Sequence, residues 1–166
     1  MKYFLEKNFS IVNIEKFNLE DFCKGGENYL KKIWPEDVLT TQKDNSDFKL
    51  EQNHACNLLN TKNDKGGLIW NNRTPTVEDI SDLLKQDYIP LVSVNSCILD
   101  GCEKNHNQSH LALVVEIFDD CIVIHDPGLP ARPYRKISME KFIEAAFSEF
   151  KPDANVIGVK LLNRGD

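Results

Sequence analysis

The stretch from Ser109 to Gly128 constrains the fold more than any other part of the chain. Two apolar runs rich in β-branched residues flank Asp119-Asp120. β-Branched residues favour extended backbone and acidic residues favour turns, so the pattern predicts a β-hairpin. The runs are nearly continuous rather than alternating, which predicts strands covered on both faces. Pro127-Gly128 then turns the chain away. A tight hairpin sets its outer ends side by side. His110 opens the first strand and Asp126 closes the second, so an imidazole and a carboxylate are expected together at one edge of a buried sheet. A carboxylate in that position fixes the imidazole tautomer and stabilises the protonated ring. This is the base-and-orienter arrangement of a Cys-His-Asp hydrolase. The plainer alternative is a strand-end His and a turn-opening Asp with no chemistry between them, and the hairpin alone favours it.

Before the hairpin the chain is polar and mostly helical in pattern. Lys2 to Asn8 is expected to form a helical turn, and Phe9 to Ile14 a short strand. Asn18 reads as the N-cap of a helix that stops before Gly25-Gly26. Glu27 to Ile33 has helical spacing, and Pro35 opens the next helix at its first position. A cap at Ser46 or Asp47 starts a helix through Leu59, with Phe48, Leu50, His54 and Leu58 inward. Asn63 to Gly67 is a turn and Leu68 to Trp70 an extended piece. Thr76 with Asp79 caps a helix whose inner stripe is Val77, Ile80, Leu83 and Leu84. Ile89 to Asn95 is a core strand, followed by a polar, Asn-rich loop from Asp100 to Ser109 directly before His110. Such loops on rigid sheets are where binding groups usually sit. After the hairpin, Tyr134 to Ile137 is a strand. Ser138 caps a helix with Phe142, Ile143, Ala146 and Phe147 inward, and Val156 to Leu162 is the last strand. The expectation is one α+β domain over 1–166, its helical part over about 1–62 and its mostly antiparallel sheet over about 66–162.

Charge and cysteine usage narrow the function classes. The net charge is −6 and no Lys/Arg-rich run occurs, so nucleic acid is not an expected partner. No apolar run approaches the length of a membrane helix, so no membrane association is expected. Glu6 and Lys7 interrupt the first apolar residues, which argues against a signal peptide. Five cysteines, an odd count without a regular framework, suit a reducing cytoplasm. The expectation is a soluble cytoplasmic protein.

The motif Ser109 to Val115, a turn, then Val123 to Gly128 resembles papain-like cysteine peptidases of the bacteriocin-processing, double-glycine-leader type, and more closely their stand-alone bacterial relatives. Tyr29-Leu30 to Trp34-Pro35-Glu36, Pro75-Thr76, Pro90 to Asn95 and Arg135 to Phe142 extend the resemblance over about Phe9 to Phe147. Order and spacing together carry it. The resemblance implies a papain-like fold, with His110 as catalytic base and Asp126 as its orienter. It also implies a nucleophilic Cys on the first turn of a long N-terminal helix, preceded by an oxyanion donor such as Gln. This chain enters the pattern after that helix, so the nucleophile segment is expected to be missing. The missing helix would leave an apolar groove, and such patches find partners, either a peptide or protein segment or another chain.

The cysteines present are weak substitutes. Cys56 has Gln52 before it but is expected inside a helix, away from the terminus whose dipole lowers a thiol's pKa. Cys121 lies at the far end of the hairpin, and Cys23 has no evident partner. Cys97 and Cys102 approach His110, but on a strand end and a loop rather than a helix start. Cys97, Cys102, His106 and His110 together could close a tetrahedral zinc site, although their spacing matches no common finger, and no cofactor is the main expectation. Asn95 could hold a bound peptide but more simply bonds its own strand end. Arg132 and Arg135 could meet a carboxylate ligand, although exposed basic residues are the commoner case. Trp34, Trp70 and Phe142 read as core aromatics. Three functions follow: a peptide-binding, peptidase-like domain without its own nucleophile; part of an active cysteine hydrolase completed by another chain; and a zinc protein.

Overall fold

The fold is given by a computed structural model, which describes residues 7–60, 67–102, 109–147 and 154–162. Among these residues seven helices and one sheet of seven strands make an α+β fold. The chain runs β1 (Phe9–Glu15), α1 (Leu19–Gly25), α2 (Glu27–Ile33), α3 (Glu36–Asn45), α4 (Phe48–Leu59), β2 (Leu68–Asn72), α5 (Val77–Lys85), β3 (Ile89–Asn95), α6 (Ser96–Asp100), β4 (Ser109–Ile117), β5 (Cys121–Asp126), β6 (Arg132–Ser138), α7 (Met139–Phe147) and β7 (Asn155–Leu161). The strand order is β2-β1-β7-β3-β4-β5-β6. Only β1 and β2 pair in parallel. A parallel pair needs a long crossover, and α1 to α4 supply it.

Alternation along the strands divides the sheet into two faces. Ile14, Val92, Val94, Ala112, Val114, Ile122, Ile124 and Val156 point to one face, where α5 and α7 close the main core with Ile80, Leu83 and the fully buried Phe142. Gly158 on β7 lets α5 settle there, since a Cβ at that position would stand 2.5 Å from Leu83 Cδ2. A second core lies among α1 to α4, built on Leu19, Phe22, Leu30, Leu39 and Ala55, with Phe17, Trp34 and Trp70 against it. The indole N–H of Trp70 donates to the Phe17 carbonyl at 3.0 Å and ties this lobe to the sheet.

Local chemistry sets the helix ends. Asn18 Oδ1 accepts from the Asp21 N–H, Asp47 Oδ1 accepts from the Lys49 and Leu50 N–H groups, and Thr76 and Asp79 form a reciprocal capping box. Pro35 caps α3 from outside rather than occupying its first position. In α4 the inward side is Ala55 with Phe48 and Leu58, whereas Leu50 and His54 are exposed. Ile143 also points outward, 42 % exposed, while Ala145 takes the inner place on α7. The expected turns over Lys2 to Asn8 and Asn63 to Gly67 fall largely outside the described residues. Among the described residues no helix is long and apolar enough to cross a membrane.

The hairpin is covered less fully than its apolar composition implies. Val114 faces the core, but Leu111 on the other face is 44 % exposed. The helical lobe sits towards β2 and β1 and leaves the second face of β4 to β6 half open. A register shift between Val114 and Glu116 leaves Val115 as an extra residue, 37 % exposed.

Candidate functional site

The hairpin register delivers the site. Val94 of β3 lies opposite His110 of β4, and β5 runs back along β4 to end at Asp126. His110 and Asp126 therefore share one face and one end of the sheet. His110 Nε2 lies 2.8 Å from Asp126 Oδ1. The same oxygen accepts the Gly128 N–H at 3.0 Å, a contact made by the Pro127-Gly128 turn. The other oxygen, Oδ2, accepts from Arg135 Nη1 at 2.9 Å. Arg135 reaches it because it pairs with Ile124 across β5 and β6. Asp126 is 4 % exposed. Burial raises its carboxyl, but the Gly128 N–H, His110 and Arg135 outweigh burial and hold it below the usual carboxylate range.

A second carboxylate extends the cluster. Arg135 Nη2 donates to Asp100 Oδ1 at 2.6 Å and to the Leu99 carbonyl at 2.6 Å. Arg132 also pairs with Asp100. Arg132 above all, helped by Arg135, holds the Asp100 carboxyl low against the opposing effect of burial. The carboxylates met by Arg132 and Arg135 thus belong to this chain. Two arginines match two aspartates in charge. Asp100 escaped the sequence reading because its role depends on arginines 32 and 35 residues further along the chain. Asp126 followed by Pro-Gly was the one local signal for the Gly128 contact.

The cysteines fall differently from their expected places. Cys23 on α1 and Cys56 on α4 form a disulfide, with α-carbons 5.2 Å apart at a sequence separation of 33. Cys23 therefore has a partner, and Cys56 is unavailable as a nucleophile. Gln52, the residue read as an oxyanion donor, donates instead to the Cys23 carbonyl at 2.7 Å. Cys121 is buried at the start of β5, five residues from Asp126, or roughly 17 Å at strand rise. Burial, then a contact with Asp120, raises its thiol. Cys97 is not at a strand end, as expected, but is the second residue of the short helix α6, buried, its N–H bonded to Asn95 Oδ1 at 3.0 Å. Asn95 is thereby used as a cap. Cys102 follows α6 and is exposed. Of the zinc quartet, His106 lies outside the described residues, and His110 gives Nε2 to Asp126. Among the described residues no group of three or more His, Cys, Asp or Glu side chains is placed to hold a metal ion. Trp34 and Trp70 are half-buried against the second core, and Phe142 is at the centre of the first.

An apolar cleft of about 500 Å³ lies on the opposite face of the sheet from His110, between the helical lobe (Phe17, Trp34, Val38) and Ser93, Leu111 and Ile157. Site and cleft are separated by the thickness of the sheet. No protein-family model matches the chain, and no curated protein matches it.

Proposed function

We propose that this chain is a peptidase-like domain that binds a peptide or partner segment and does not cleave it alone. One observation carries the reading: His110 and Asp126 are joined at 2.8 Å as base and orienter would be, yet the Asp126 charge is already matched by Arg135. A carboxylate committed to a guanidinium gives less support to the imidazolium that thiolate chemistry requires. Two cysteines agree with it, Cys56 being held in a disulfide and Cys121 standing at the far end of the hairpin. On this reading the fold is papain-like without its first helix, no cofactor is needed, and the half-open apolar cleft takes the partner. The Cys23–Cys56 disulfide favours an oxidising compartment over the cytoplasm expected from cysteine count.

A second reading, an active cysteine hydrolase completed by a Cys from another chain, is favoured by the His110 side chain being 27 % exposed although its Nε2 is engaged. Labelling with a thiol-reactive peptidase probe separates the two, using wild type and His110→Ala, with metal content measured on the same samples. The binding reading expects labelling at the rate of an ordinary thiol, equal in both proteins, without stoichiometric zinc. Fast labelling of one cysteine that collapses in His110→Ala would establish the hydrolase instead.

A further inference from the structure

We propose that Cys97 and Cys102 are a dithiol site that takes a disulfide oxidant and closes reversibly into a second disulfide across the end of α6. Helix α6 ends in a Schellman turn. Gly101 has φ 70° and ψ 39°, in the left-handed region. Its N–H donates to the Ile98 carbonyl at 3.2 Å, and the Cys102 N–H donates to the Cys97 carbonyl at 2.9 Å. This turn brings together the side chains of the first and last residues it spans, and both are usually apolar. Here both are cysteines. The 2.9 Å bond from the Cys102 N–H to the Cys97 carbonyl keeps the two backbones adjacent, as a bridging disulfide requires. The neighbouring Cys97 side chain first, then burial and the Asp100 charge, raise the Cys102 thiol above its usual range.

The chemistry is thiol–disulfide exchange. The thiolate of Cys102, the exposed member, attacks one sulfur of an oxidant RSSR, forming a mixed disulfide and releasing RS⁻. The Cys97 thiolate then attacks the Cys102 sulfur and releases a second RS⁻. The protein loses two electrons and two protons, and RSSR becomes two RSH. The closed ring contains Leu99 and Asp100, whose carbonyl and carboxylate hold Arg135. Oxidation therefore fixes the turn on which the support of Asp126 rests. The site also resolves the odd cysteine count into two pairs and the buried Cys121.

The test equilibrates the full chain at pH 8 in mixtures of reduced and oxidised glutathione, followed by acid quenching, alkylation and peptide mass spectrometry. The peptide carrying both cysteines is expected to lose two hydrogens together. The effective thiol concentration should be at least tenfold above the roughly millimolar value of a flexible linker. A Cβ at Gly101 meets nothing within 4 Å, so Gly101→Ala reports backbone strain alone and should lower that concentration about tenfold. Cys102→Ser, at an exposed position, should abolish closure and leave Cys23–Cys56 intact. A persistent Cys102–glutathione adduct beside unreacted Cys97, closure no better than a flexible linker gives, equal closure in Gly101→Ala, or stoichiometric zinc on the two thiols would each overturn the proposal.

Discussion

Asp126 joins the hairpin, the turn after it and β6 through three hydrogen-bond partners on two oxygens. Its pKa is depressed in the folded chain, so the unfolded chain binds more protons at acid pH. The stability it contributes is present above the unfolded carboxylate value of about 3.9 and is lost as the pH falls through the lower folded value. Asp126→Asn should cost about 1–3 kcal/mol at pH 7, the range for losing hydrogen bonds to a charged group. Below about pH 4 its stability should change less steeply than that of wild type, measured by urea unfolding at stepped pH. Parallel curves would contradict the assignment. Glu15, which burial raises, titrates in the opposite sense in both proteins, so the difference between them isolates Asp126. At this scale the His110–Asp126 pair was legible because hairpin register is local. The Cys23–Cys56 bond was not, because two cysteines at a sequence separation of 33 meet only through the tertiary packing of their helices. Cys97 was misplaced because a five-residue helix is too short to show a period.

Among the elements, the helices with capping residues and the strands with β-branched runs were readable, since their signals lie within a few residues. The faces were harder. A continuous apolar run such as Leu111 to Val115 does not say which side is covered; the position of the helical lobe decides that, and it leaves Leu111 half open. On α7, Phe142 and Ile143 are adjacent apolar residues about 100° apart around the helix, and only one points into the main core. Phe142→Ala should therefore cost about 3–5 kcal/mol. Ile143→Ala, at an exposed position, should fall within about 0.5 kcal/mol of wild type. Chemical denaturation of the two variants checks the orientation of α7, and similar losses in both would contradict it.

For the whole molecule, the helical lobe and the sheet have separate cores, and the disulfide secures the smaller one. Closing a loop of this length stabilises by about 3–4 kcal/mol in the chain-entropy account. Replacing Cys23 and Cys56 by Ser should accordingly weaken amide hydrogen-exchange protection in α1 and α4 far more than in β3 and β7; uniform loss would mean that the lobes unfold together. The arrangement that joins sequence to function remains the imidazole held on a buried carboxylate at the end of the sheet. Nitrogen-15 NMR of His110 in its neutral form reads it most directly. With Nε2 donating to Asp126, the account predicts a proton on Nε2, a bare Nδ1, and loss of that preference in Asp126→Ala. A neutral His110 carrying its proton on Nδ1, or showing the same tautomer balance with and without Asp126, would contradict it.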